Sequence, residues 1–82
     1  MRIVVIDNGF VFVCKKYTEE NDRVSLIEAR CIRIWGTKNG LGQLATGPTS
    51  ETVLDDMIPV ISVHLNRVVF SFEVTGWDKA FK

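Results

Sequence analysis

Arg2-Ile3-Val4-Val5-Ile6-Asp7-Asn8-Gly9-Phe10-Val11-Phe12-Val13-Cys14-Lys15-Lys16 decides the fold. Two β-branched and aromatic runs flank Asp7-Asn8-Gly9, and Asn and Gly accept the positive φ that a tight hairpin turn needs. Residues 3–6 and 10–14 are apolar at nearly every position, whereas a half-buried strand is apolar at alternate ones. Both faces of this hairpin therefore need cover. Two arrangements supply it: the hairpin lies between two layers of its own chain, or one face is buried in a second subunit. Because a short chain has little material for two layers, the expectation is a homo-oligomer with Val5, Phe10 and Phe12 at the interface.

Working outward, residues 18–22 are polar and read as a surface turn. Residues 24–27 and 29–35 follow as strands, with Ile32 and Ile34 on one side and Cys31, Arg33 and Trp35 on the other. From 36 to 56 glycines at 36, 40, 42 and 47 and Pro48 interrupt every long window. Within that stretch Leu41, Leu44 and Ala45 could anchor a single helical turn. After Pro59, residues 60–65 alternate again. Asn66-Arg67 then connects to residues 68–74, where Val68, Phe70, Phe72 and Val74 share the inner face. The tail, residues 77–82, carries aromatics able to fold back on the sheet. Short strands with regular turn signals define an all-β fold in one domain over 1–82: a small β-sandwich, roll or partly open barrel. Its one long structured loop, about 36–56, holds at most a short helical turn.

Ten basic and ten acidic residues give zero formal net charge, so no long-range field draws the protein to nucleic acid. The apolar runs are too short to cross a membrane as helices, and no leader pattern opens the chain. Cys14 and Cys31 form no CxxC pair and no disulfide framework, which favours a reducing compartment. His64 is the only histidine, on the outer side of its strand with Ser62, and multi-histidine metal sites are excluded. The adjacent carboxylates of Asp55 and Asp56 would diverge in a strand. GxGxxG, P-loop, HExxH and GxSxG motifs are all absent. The expectation is a non-enzymatic protein that needs neither cofactor nor metal.

Residues 30–49 concentrate arginines, a tryptophan, a lysine, glycines and amide or hydroxyl side chains. Guanidinium forks pair with phosphate, indole stacks on a base, and glycine amides donate to anionic oxygens. Arg33, Trp35, Gly36, Thr37, Lys38 and Asn39 are thus the candidate ligand-binding residues, with a nucleotide-like small molecule as ligand. Arg30, on the opposite face by strand parity, reads as a structural ion pair. The same composition also suits a purely structural loop, with Trp35 in the core and the arginines paired to Glu28, Glu51 or Glu73.

Ala29-Arg30-Cys31-Ile32-Arg33-Ile34-Trp35-Gly36-Thr37, then Gly40-Leu41-Gly42-Gln43-Leu44-Ala45, Gly47-Pro48-Thr49 and Thr52-Val53-Leu54-Asp55, resemble a family of small uncharacterised proteins of tailed phages and prophages. That family is similar in an ARxIxxWG, GLxxLA, GPT core followed by a hydrophobic strand pair. The resemblance implies a phage accessory protein in the bacterial host cytoplasm and carries no catalytic residue across. The resulting expectation is an anti-defence protein that sequesters a nucleotide-derived host signal in an oligomeric pocket. The alternative is a protein-binding module that caps or inhibits a host protein through the apolar hairpin or the Gly-rich loop.

Overall fold

The structure is a computed structural model and describes residues 1–81. Six strands form its framework: β1 (Arg2–Ile6), β2 (Val11–Glu20), β3 (Arg23–Ile34), β4 (Val53–Leu54), β5 (Ile58–His64) and β6 (Val68–Glu73). All pairings are antiparallel, in the order β4-β3-β2-β1-β6, with β5 also on β3. The result is an all-β fold built on a single sheet that does not close into a barrel. Its accessible surface of 5169 Å² is close to the roughly 5,000 Å² that a compact chain of this mass exposes.

The doubly apolar hairpin is the middle layer. On one side Ile3, Val11 and Val13 meet Ile32, Leu44, Val74 and Trp77, so that the long loop and the tail cover this face. On the other, Val4, Ile6 and Cys14 pack against Val24, Leu26 and Ala29, joined by half-buried Ile61 and Val63 of β5 and Val68 of β6. The chain thus supplies both layers itself, and the hairpin's need for cover gives no reason for a second subunit. Of the three residues expected at an interface, Val5 and Phe12 are half-buried against these two cores, and only Phe10, 56% exposed, stands free.

Several local expectations change, each for an identifiable backbone reason. The polar stretch 18–22 is mostly strand, and the turn is only Asn21-Asp22, both left-handed (φ 51 and 62), as a two-residue hairpin requires. The two strands expected over 24–27 and 29–35 are one long strand, Arg23–Ile34, which ends before Trp35. Leu26 and Ala29, three apart, both enter the second core, because Glu28 at φ 50 breaks the pleat and bends the sheet. At β6 the register slips: Val5 faces Phe70 but Ile6 faces Val68, leaving Val69 as an extra residue. Val68 therefore joins the second core while Phe72 and Val74 join the first, and Phe70 is 50% exposed; the four do not share one buried face. A slip at Arg33 likewise puts Ile34 opposite Val53, so Ile32 is buried and Ile34 is 53% exposed. Asn66-Arg67 belongs to a 3-10 turn, Leu65–Arg67.

The loop carries the expected helical turn as a 3-10 segment, Leu41–Thr46, with Leu44 fully buried, and also the two-residue strand β4. Trp77 fixes the tail to it: the indole Nε1–H donates to the Leu44 carbonyl at 2.8 Å, and the Thr75 N–H donates to that of Ala45 at 2.9 Å. Among the described residues no helix is long and apolar enough to cross a membrane.

Candidate functional site

The Gly-rich stretch spends most of its polar groups on itself. Thr49 Oγ1 donates to the Gly36 carbonyl at 2.6 Å and Thr52 Oγ1 to the Trp35 carbonyl at 2.7 Å. The backbone N–H groups of Lys38 and Asn39 both donate to Gln43 Oε1, at 3.0 and 2.9 Å. Gly36, at φ +69, lies so close to the Glu51 backbone that a Cβ would overlap it. Gly36 serves close backbone approach, and among the loop amides those of Lys38, Asn39 and Gly47 have internal acceptors.

The ion pair expected of Arg30 is made by Arg33 instead, and both arginines reach Asp55. The Arg30 guanidinium clamps two carbonyls, Nε to Asp55 O at 2.7 Å and Nη1 to Ala80 O at 2.6 Å, tying β3 to the edge connection and the tail. Arg33 instead pairs with the Asp55 carboxylate, Nε to Oδ1 at 2.7 Å, in an exposed ion pair that raises the guanidinium pKa, first through that hydrogen bond and then through charge. Replacing Arg30 with alanine removes two charge-assisted bonds from a part-buried site and is expected to cost about 2–3 kcal/mol. For Arg33→Ala, which removes only an exposed and solvent-screened ion pair, the expected cost is much smaller. Chemical denaturation of both variants checks the ranking, and equal losses would contradict the clamp.

Arg33 also lines a cleft of about 350 Å³ with Gly9, Phe10 and Val11 across from Cys31 and Ile32, and Asp55 beside it. Trp35, Gly36, Thr37, Lys38 and Asn39 do not line it, so the structure does not gather the six candidate residues around one cavity. A second open cleft of similar size is lined by Asp7, His64, Asn66 and Arg67. There His64 Nδ1 accepts from the Asn66 N–H at 3.4 Å, and Arg67 pairs with Asp7 at 2.8 Å. His64 is exposed, as its parity implied.

Both cysteine side chains favour the protonated thiol over the thiolate. Burial pushes the pKa of Cys14 up, and burial followed by the neighbouring Asp55 charge does the same for Cys31. A thiol whose folded pKa is raised stabilises the fold below its unfolded pKa, and that contribution disappears as pH rises through the folded value. Stability should therefore fall as pH climbs above ~8.5. At neutral pH, Cys14 should resist a thiol reagent until denaturant is added; rapid labelling of the native protein at Cys14 would show that the second core opens.

A run of exposed apolar side chains lies elsewhere, on the outer edge of the sheet that β4 and β5 form where they pair with β3. β4 and β5 follow one another there, bridged by the Asp55 N–H donating to the Cys31 carbonyl at 2.9 Å. Val53, Met57, Ile58 and Val60 are 42%, 43%, 43% and 56% exposed along this edge, with Ile34 paired to Val53 and Trp35 (39%) next to it. Reading the sequence for charge and aromatic clusters passes over these aliphatics. The signal was present: residues 57–61 are apolar at every position, which is the doubly apolar pattern of the hairpin again. Comparison with protein-family models, curated proteins and solved structures finds no match for this chain.

Proposed function

We propose that the protein is a non-enzymatic binding module that engages a partner protein through the apolar strip on the outer sheet edge formed by β4 and β5. One observation carries this reading: Ile34, Trp35, Val53, Met57, Ile58 and Val60, at the end of β3 and along β4, β5 and the connection between them, are each 39–56% exposed while the two cores are filled by other residues. The edge is also unguarded. Residues 57–64 contain no Lys, Arg, Asp or Glu, the side chains that commonly blunt an edge strand, although Pro59 removes one backbone donor. An extended partner segment could add to β5 through main-chain hydrogen bonds while its side chains bury Val60 and Ile58. The resemblance to phage proteins makes a bacterial host protein the class of partner and the host cytoplasm the setting. Sequestration of a nucleotide-like signal has less support, since the Lys38 and Asn39 amides are occupied and Trp35 stands outside the cleft that Arg33 lines.

Affinity capture from bacterial lysate with strip variants tests the reading. Ile34→Lys and Val60→Lys should each weaken capture of the same partner about tenfold or more, equivalent to ~1.4 kcal/mol, because each buries a charge in an apolar contact. Val69→Lys, at a position 62% exposed on β6, should capture normally. Equal capture by all three variants, with unchanged melting temperatures, would overturn the assignment. Light scattering on the purified protein separates a foreign partner from a second copy of this chain.

A further inference from the structure

We propose that the cleft between the ends of β2 and β3 binds a small monoanion, a carboxylate carried on a flat apolar group. The cleft arises from the way the strands part. Their ladder runs in constant register from Glu20↔Arg23 to Phe12↔Cys31, and one step further would set Val11 against Ile32 and Phe10 against Arg33. The ladder ends before that step: Val11 and Ile32 keep their outer partners, Val5 of β1 and Leu54 of β4, without pairing to each other, and an opening of about 350 Å³ lies at this end.

Two features of that opening select the ligand. The first is an oriented guanidinium. Asp55 is fixed by its own backbone, its N–H donating to Cys31 O at 2.9 Å and its carbonyl accepting from Arg30 Nε at 2.7 Å. Its carboxylate then holds Arg33 by Nε, and among the described residues the two terminal nitrogens of Arg33 make no hydrogen bond. Two parallel N–H groups on a held plane match the two oxygens of a carboxylate. The second is an apolar wall: Phe10 is 56% exposed in the cleft, braced against Phe12 with ring centroids 6.3 Å apart. A flat group stacks there while its carboxylate reaches Arg33. Arg30 and Arg33 both bond to Asp55, whose carboxylate offsets one of their two positive charges; the charge that remains matches a monoanion, and a second negative charge on the ligand has no counterpart. None of the exposed strip residues along β4 and β5 lines this cleft, so this assignment stands apart from the protein-binding reading.

Titration of the ¹⁵N-labelled protein by NMR tests it, with benzoate as the carboxylate probe, benzamide as its neutral counterpart and phenyl phosphate as the dianion. Benzoate should shift Gly9, Phe10 and the Arg33 side chain saturably, with half-saturation on the order of 1 mM, the strength of one charge-assisted pair and one stacked ring. Benzamide and phenyl phosphate should bind about tenfold more weakly. Arg33→Gln and Phe10→Ala should each lose about tenfold, whereas Val69→Lys should behave as the unmutated protein; the spectra themselves report that each variant is folded. Absence of saturable shifts with benzoate, an equal response to benzamide, or benzoate binding unaffected by Arg33→Gln would overturn the site. Tighter binding of phenyl phosphate than benzoate would overturn its restriction to monoanions.

Discussion

Trp77→Ala is expected to unfold the protein at ambient temperature. The indole is 1% exposed, the largest fully buried side chain of the chain, and it seals the first core where the tail meets the long loop. Truncating a buried tryptophan costs about 3–5 kcal/mol in lost burial and cavity. The substitution also orphans the Leu44 carbonyl, which accepts the indole N–H at 2.8 Å, adding roughly 1–3 kcal/mol. Together these approach the whole stability of a domain this small, about 4–12 kcal/mol at typical per-residue values. Trp77→Phe keeps most of the packing and should lose only about 2 kcal/mol, mainly through the missing donor. Urea denaturation followed by circular dichroism checks the pair; a Trp77→Ala midpoint close to the unmutated one would show that the tail is not part of the core.

Gly36→Ala is expected to cost about 3–5 kcal/mol. At φ +69 any Cβ is strained by about 1–2 kcal/mol, and here it would also meet the Glu51 carbonyl oxygen and the Thr52 nitrogen, each at 2.6 Å. Those atoms belong to backbone that is tied to Thr49, through the Glu51 and Thr52 N–H groups, and strapped to β3 by the Thr49 and Thr52 hydroxyls, so they cannot step aside as a flexible side chain would. Gly40→Ala supplies the contrast: φ is +86 but the Cβ would have nothing within 4 Å, leaving only the conformational strain, about 1–2 kcal/mol. Thermal melting of both variants distinguishes the contributions. Equal losses would mean that the loop moves away from Gly36 and does not strap β3 to the connection before β4.

The hairpin turn at Asn8-Gly9, the buried Leu44 in its helical turn and the folded-back Trp77 were legible in the sequence because each rests on a local pattern of few residues. What the sequence hid are the backbone irregularities. Extra residues at Arg33 and Val69, and the left-handed Glu28, shift side-chain parity without any glycine or proline to announce them. Every face assignment that crossed one of them failed, from Ile34 to Val68. The doubly apolar hairpin signals a need for cover, and only the three-dimensional path of residues 36–52 and 74–81 shows that the chain itself covers one of its faces. At the candidate site, residue types were legible and hydrogen-bond destinations were not. Arg33, Lys38 and Asn39 look alike as anion ligands until Gln43 is seen to occupy two of their amides. The apolar edge went unread because Ile58, Val60 and Met57 carry no distinctive chemistry, only exposure.

Hydrogen exchange of the protein alone and in complex with the partner it captures tests the protein-binding account most directly. The account predicts new protection of amides in Val53–Leu54, in Ile58–His64 and at Ile34 and Trp35, with Val68–Glu73 and the Gly9 to Val11 turn unchanged. Protection confined to β6 or to the cleft, with the β4 and β5 edge exchanging as in the free protein, would contradict it.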